Sequence, residues 1–250
     1  MSARDAGTEL LAPDAWLTQT LGLAAFVLRL PLPAAAVLGA ELARAAPGRA
    51  LYFAKVPVAE GAAVSQLEDA GFHVVDTQLT FERAPQDLPT ASPEVRLAAP
   101  QDRQAVLDIA GSCFRFSRFH QDPKIGLRAA HEVKRAWAAN CLDRKRGEEV
   151  LVALADGRVA GFLAVLLASE RGETTAIIDL VGVAPHTQRR GLGAALVRSF
   201  IARWGSRAAR LRVGTQAANS ASVRVYESCG FRFSGAAYVL HAHYHGGKPA

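Results

Sequence analysis

The stretch that most restricts how this chain folds is a strand, a polar loop and a helix met in that order between Thr175 and Trp204. Thr175 to Val183 is an apolar run of strand length holding a single acid, Asp179. Ala184-Pro185-His186-Thr187 interrupts it. Gln188-Arg189-Arg190-Gly191-Leu192-Gly193 then opens a segment where Leu192, Leu196 and Phe200 form one stripe, with Val197, Ile201 and Trp204 beside it. That spacing predicts a helix from about Arg190 to Trp204, buried on one face and carrying Arg190, Arg198 and Arg203 on the other. Gly191 and Gly193 let the backbone approach a ligand closely. The first helical turn presents N–H groups without helical partners, so the loop suits an anion, and a pyrophosphate fits such a cradle. Two rival phosphate loops fit less well. The third glycine of a dinucleotide fingerprint is missing, and no Gly-Lys-Ser or Gly-Lys-Thr occurs.

The clearest break in the chain is Ala84 to Pro93, with three prolines among small and polar residues. It predicts an N-terminal α/β segment over 1–83, a linker over 84–93 and a main domain over 94–250. Before the break, Ala24–Leu30, Ala50–Val56 and Phe72–Phe81 read as strands, and Ala34–Arg44 and Glu60–Ala70 as helices. After it, Val95–Leu97 reads as a short strand, and Gln101–Gly111 and Ile125–Arg144 as helices. Val150–Leu154, Val159–Ala168 and Thr175–Val183 read as adjacent antiparallel strands, the first two joined through Asp156-Gly157. A strand Arg210–Gly214, a helix Ser220–Ser228 and apolar residues Phe231–Leu240 follow. Leu67 to Phe72 echoes Tyr226 to Phe231, through glycine caps common to many helices or through a degenerate half-repeat of the main domain.

With 50% apolar residues the chain has material for a sizeable core, and a net charge of +6 favours an anionic partner. The excess forms no continuous basic arm, so phosphate groups fit better than nucleic acid. Three cysteines without paired spacing indicate neither a disulfide framework nor a zinc site, and place the chain in the reducing cytoplasm. Met1–Leu11 lacks the apolar core of an export signal. Arg29, Pro31, Pro33 and Glu41 break the apolar stretch Leu21–Leu42 at depths unsuited to a membrane span, so a buried strand and helix are expected there.

Gln188 to Gly193 matches every specified position of the acetyl-CoA motif of the GNAT superfamily of N-acetyltransferases, which the sequence resembles from about Val95 to Tyr244. The resemblance implies an α/β (α+β) fold with a mixed, mostly antiparallel central sheet flanked by helices. It implies acetyl-CoA as acetyl donor, the loop amides of Gln188, Arg189, Arg190, Gly191, Leu192 and Gly193 holding the pyrophosphate, and the strand edge Leu180, Val181, Gly182, Val183 pairing with the pantetheine arm. Asn219 to Phe231 looks like the family's later motif, with Ser222 in place of a more usual alanine. It implies that Asn219 touches the pantetheine arm and that the Tyr226 hydroxyl assists the departing thiolate, a sensible role for a phenol. From the residues alone, Asn219 reads equally as a helix N-cap and Tyr226 as a core aromatic.

Within the superfamily the layout is most similar to the TDP-fucosamine acetyltransferase group, through the extra N-terminal segment, the run Cys113 to Pro123 and Leu211 to Gln216. That similarity implies an acceptor amine on a nucleotide-linked sugar. A protein N-terminus, an amino acid or another small amine is the alternative acceptor, and a non-catalytic CoA-binding module the alternative function. No nucleic-acid or membrane partner is expected, and the chain is expected to act as a monomer or homodimer. Phe114 to Asp122 lies where such enzymes place the acceptor loop. Arg115, Arg118 and His120 would hold an anionic group, with Phe114, Phe116 or Phe119 stacking on a base or sugar. The competing reading is a connecting loop anchored by aromatics. Asp179 is either a general base, acting directly or through water, or a carboxylate paired with an arginine. His241, His243 and His245 alternate, but no acid or cysteine accompanies them in sequence, so they read as solvated residues of a terminal strand and no metal is expected.

Overall fold

Strand alternation decides the layers. The structure, a computed structural model, describes residues 10–45, 47–170 and 172–250; most of the Met1–Leu11 stretch that bears on export lies outside them. The chain divides into two units. The first takes in described residues up to 77, with 122–124 and 236–250, and the second 78–121 and 125–235.

In the first unit, β1 (Leu11–Pro13), α1 (Ala15–Leu21), β2 (Ala24–Leu28), α2 (Ala35–Ala45), β3 (Arg49–Pro57) and α3 (Gly61–Asp69) lead into β4 (His73–Arg83). β2 runs parallel to β3 and antiparallel to β1. Alternate residues of β3, Tyr52, Ala54 and Val56, bury against Leu38 and Leu42 of α2 and Leu67 of α3. The Tyr52 hydroxyl is satisfied by the Leu42 carbonyl at 2.6 Å, and burial pushes its pKa up to about 12. β2 and α2 are the strand and helix expected within Leu21–Leu42, and no helix among the described residues is long and apolar enough to cross a membrane.

The second unit contains β5 (Val95–Leu97), α4 (Arg103–Ala110), α5 (Arg118–Gln121), α6 (Leu127–Leu142), β6 (Glu149–Ala155), β7 (Arg158–Glu170), β8 (Glu173–Val183), α7 (Leu192–Trp204), β9 (Arg210–Gln216) and α8 (Ser220–Ser228). Its strand order is β4-β9-β8-β7-β6-β5, antiparallel at every step except β9 with β8. The sheet is thus mixed and mostly antiparallel, as the resemblance implies. Asp156 (φ 51°) and Gly157 (φ 73°) close the β6–β7 hairpin, both in the left-handed region that a two-residue turn of this hand requires. Leu151, Leu163 and Val165 face α7, while their neighbours Val150, Val152, Phe162 and Ala164 face α4 and α6. Helices therefore cover both faces.

The last elements, β10 (Arg232–His245) and β11 (Lys248–Pro249), complete the chain. Ala237–His245 pair antiparallel with β3 in the first unit. The division between units comes at residue 77/78, inside β4 and ahead of the proline-rich 84–93 stretch, because Gln78–Arg83 hydrogen-bond to β9.

Candidate active site

A bulge and an early end to one ladder shape the centre of the second unit. β7 pairs with β8 in register up to Ala164↔Leu180 and resumes at Val165↔Ile178, leaving Asp179 as the extra residue. A bulge of one residue reverses the phase of the strand. Ala176 and Ile178 accordingly face α7, whereas Leu180 faces α4 and α6. Parallel pairing of β8 with β9 stops at Ile178↔Val213, although β8 continues to Val183 and β9 to Gln216. Each remains paired on its other side, to β7 and β4. The two strands therefore splay, and the edge Leu180, Val181, Gly182, Val183 presents backbone groups that β9 does not take.

The chain then turns through Pro185–Thr187 into the cradle. Arg189 (φ 65°) and Gly191 (φ 83°) are both left-handed, a pair of positive angles that brings successive amides toward one side. The first helical bond of α7 runs from Ala195 N–H to the Gly191 carbonyl at 3.0 Å, so the amides of Leu192, Gly193 and Ala194 have no helical acceptor. A Cβ at Gly191 would meet nothing within 4 Å, and one at Gly193 only the Val183 methyl at 3.9 Å, so the space over the loop is open. The Gln188 side chain ties the loop to the Val183 carbonyl at 3.3 Å. Arg190 leans away, to Asp156 at 3.2 Å. Below, Leu192, Leu196, Phe200 and Ile201 are buried, so the cradle stands on core. These features fit a pyrophosphate followed by an extended arm that takes the place of a strand between β8 and β9.

The remaining expected residues divide. Asn219 is the N-cap of α8, its side chain accepting from Ser222 N–H at 3.2 Å. Tyr226 is 3% exposed and packs against Phe81 and Phe231, ring centroids 6.2 Å away in both cases. Burial raises its pKa, opposed by a hydrogen bond with the Ser222 side chain, so the phenol holds its proton at neutral pH. Asp179 is paired with an arginine: Arg146 donates to both its oxygens at 2.7 Å, and Trp137 Nε1 to Oδ2, also at 2.7 Å. Its side chain is 7% exposed.

The Phe114 to Asp122 run is not a single surface. Arg115 and Phe116 are exposed, Phe114 and Arg118 half-buried, and Phe119 sealed in the core with the Arg118 guanidinium 4.3 Å from its ring centre. His120 bonds Ser117 through Nδ1 at 2.6 Å, and its Nε2 is buried without a partner. Burial, with His131, Lys134 and Arg115 nearby, lowers its pKa to about 4. At neutral pH His120 is therefore uncharged, so it can offer an anion a hydrogen bond but not a charge.

Sequence reasoning missed Lys134, Trp137 and Arg146, and did not connect Ser222 with the Tyr226 hydroxyl. Lys134 is 8% exposed, and its ammonium lies 4.8 Å from the Phe114 ring centre and 4.7 Å from that of Trp137, which also has the Arg146 guanidinium 4.8 Å from its ring centre. A readable signal existed: Lys134 falls on the stripe Ala130, Val133, Ala138, Cys141 that α6 buries. Near this group Cys113 lies against Gly182, where a Cβ would come within 2.6 Å of its sulfur, and burial pushes the Cys113 thiol up to about 12.

The histidine reading also differs in the structure. His241 is fully buried and His243 nearly so, both against Asp122 at 2.6 and 2.7 Å; only His245 is solvated. β10 pairs with β3 along its length there, so it is not a loosely solvated terminal strand.

The chain is similar to known proteins. The spore coat polysaccharide biosynthesis protein SpsD of Bacillus subtilis (strain 168) is 28% identical over 193 residues, covering 76% of this chain and 65% of SpsD, so the chain spans just under two thirds of that relative. A functionally unknown conserved protein from Staphylococcus epidermidis ATCC 12228 shares the fold over 96% of this chain and 93% of its own (TM-score 0.64, 14% identity). A GCN5-related N-acetyltransferase from Kribbella flavida does so over 96% and 89% (TM-score 0.56, 19% identity). Residues 104–231, which hold the bulge, the splay, the cradle and α8, match the Acetyltransferase (GNAT) family, and the chain belongs to that family.

Proposed function

We propose that this chain moves an acetyl group from acetyl-CoA to a primary amine by direct attack in a ternary complex, and that the amine belongs to a nucleotide-linked, TDP-type amino sugar. The observation that carries the reading is the β8–β9 ladder, which stops at Ile178↔Val213 beside a loop of unpartnered amides. The sugar assignment draws support from the similarity to SpsD, a polysaccharide biosynthesis protein.

Acetyl-CoA supplies a thioester carbonyl already activated toward amines. Amides from Arg189 to Gly193 would face its pyrophosphate, and Leu180–Val183 its pantetheine arm, with Asn219 near the far side of that arm. Carrying a side chain into the cradle without disturbing the core tests this. Gly193→Glu meets only Val183 and should fold normally, yet raise the KM for acetyl-CoA at least about tenfold by setting a carboxylate against phosphate. An unchanged KM in steady-state thiol-release assays removes the cradle assignment.

Tyr226 keeps its proton at neutral pH and would give it, or a hydrogen bond, to the departing sulfur. Tyr226→Phe should leave the melting temperature nearly intact and lower kcat about 100-fold. A variant with full kcat has a core tyrosine and nothing more. Asp179, with both oxygens engaged, holds Trp137 and Arg146 in place, and we assign loss of the ammonium proton to water. The pH–rate profile of Asp179→Asn should then keep its shape. Arg115 and Arg118 would meet the acceptor's phosphates, with Phe114 and Phe116 beside its base or sugar.

The deciding experiment is thiol release from acetyl-CoA against TDP-linked amino sugars, free amino sugars, amino acids, N-terminal peptides and simple amines. Turnover confined to the nucleotide-linked sugars supports the full reading. Preference for another amine overturns the acceptor, and CoA binding without turnover on any amine overturns the catalytic assignment.

A further inference from the structure

In the first unit a carboxylate is buried with imidazoles as its neighbours. The Asp122 side chain is 0% exposed. Its Oδ2 lies 2.6 Å from His241 Nδ1 and 2.7 Å from His243 Nε2, and its Oδ1 accepts from the Lys124 N–H at 2.9 Å. His73, at the start of β4, brings Nε2 to 4.0 Å from Oδ1 and stacks on His243 with ring centroids 6.4 Å apart. That Nε2 is buried and has no hydrogen-bond partner. Strand period accounts for the grouping. Leu240, Ala242 and Tyr244 of β10 enter the core under α2 and α3, so His241 and His243 share the other face.

A buried carboxylate needs a positive partner. Among the described residues no lysine or arginine side chain is within salt-bridge distance of Asp122. Three imidazole nitrogens and one carboxylate oxygen form a donor set that first-row divalent ions take, zinc foremost. The ligating atoms of Asp122, His241 and His243 already lie within 4.8 Å of one another. A cavity of about 160 Å³, lined by Arg49, Lys124, His243 and His245 among others, gives an ion a way in from solvent.

We propose that Asp122, His241, His243 and His73 form a binding site for a divalent transition-metal ion of zinc's class. The present His–Asp contacts are of hydrogen-bond length. Ligands 2.0–2.1 Å from a tetrahedral ion sit about 3.3 Å apart, so uptake draws the carboxylate back by less than about 1 Å and replaces bridging hydrogens with the ion. The arrangement also gives the buried Asp122 carboxylate a fixed counter-charge.

The test uses the full chain, stripped with a chelator and titrated with Co²⁺, read by its visible ligand-field band, and with Zn²⁺ in a calorimeter. One equivalent per chain is expected. His73→Ala and Asp122→Asn should each weaken Zn²⁺ affinity by at least about 100-fold, the upper end of what an outer-shell partner costs. His186→Ala, at an exposed histidine of the second unit, should change nothing, and circular dichroism checks that each variant folds. His73 is half-exposed, so its variant carries least risk to folding. Folded wild-type protein that binds no ion, or binds it equally well in His73→Ala and Asp122→Asn, overturns the proposal and leaves a proton-bridged Asp–His cluster.

Discussion

Phe200→Ala should destabilise the chain by about 3–5 kcal/mol, a large share of the 5–15 kcal/mol that holds a typical domain together. Phe200 is fully buried on α7 within one cluster that includes Leu163, Val165 and Ile178 of the sheet and Leu196 and Trp204 of its own helix. Removing the ring leaves a cavity that a helix packed against strands closes poorly. The consequence reaches the cradle, since Leu192 and Leu196 seat the first turns of α7 on the same cluster. Urea unfolding followed by circular dichroism measures the loss. Phe200→Leu, which keeps most of the volume, should recover more than half of it. A loss below about 1 kcal/mol for the alanine variant would mean that α7 is not held by this cluster.

The cradle was legible for the same reason that Phe200 matters. A 3.6-residue stripe running thirteen residues is a strong periodic signal, and α7 is observed from Leu192 to Trp204. α8 likewise has the bounds its pattern implies, and Asp156-Gly157 makes the turn that its residue types favour. β1 and α1 were missed although Asp14 caps α1 and Gly22 ends it left-handed. Elements of three and seven residues are too short for a period to stand out.

The bulge at Asp179 illustrates a different limit. Ala176, Ile178, Leu180 and Gly182 alternate without interruption, so periodicity places all four on one face. The structure moves Leu180 to the other face, and no local pattern encodes that shift. The partners of Asp179 and of Asp122 were hidden for a related reason. Arg146 is 33 residues from Asp179, and His241 is 119 from Asp122. Pairing at such separations is fixed by topology rather than by spacing. The sequence therefore exposes where helices and strands lie more readily than which side chains meet.

Arg146→Ala should cost about 1–3 kcal/mol, the usual penalty for leaving a buried acceptor without its partner. The asymmetry of exposure sets the size. The Arg146 side chain is 41% exposed and can return to water, whereas that of Asp179 is 7% exposed and cannot. Without the guanidinium, Asp179 keeps the Trp137 N–H and a weak thiol contact from Cys141. Those dipoles do not balance a full charge in the interior. Trp137 would also lose the cation stacked on one face, loosening its hold beside Lys134 and Phe114. Adding Asp179→Asn to Arg146→Ala removes the stranded charge, so the double variant should be more stable than Arg146→Ala alone by at least about 1 kcal/mol. Urea unfolding of the four proteins in the cycle gives the coupling directly. If the second substitution destabilises further, Asp179 is sufficiently solvated without its arginine, and the pair does not act as an anchor for Trp137.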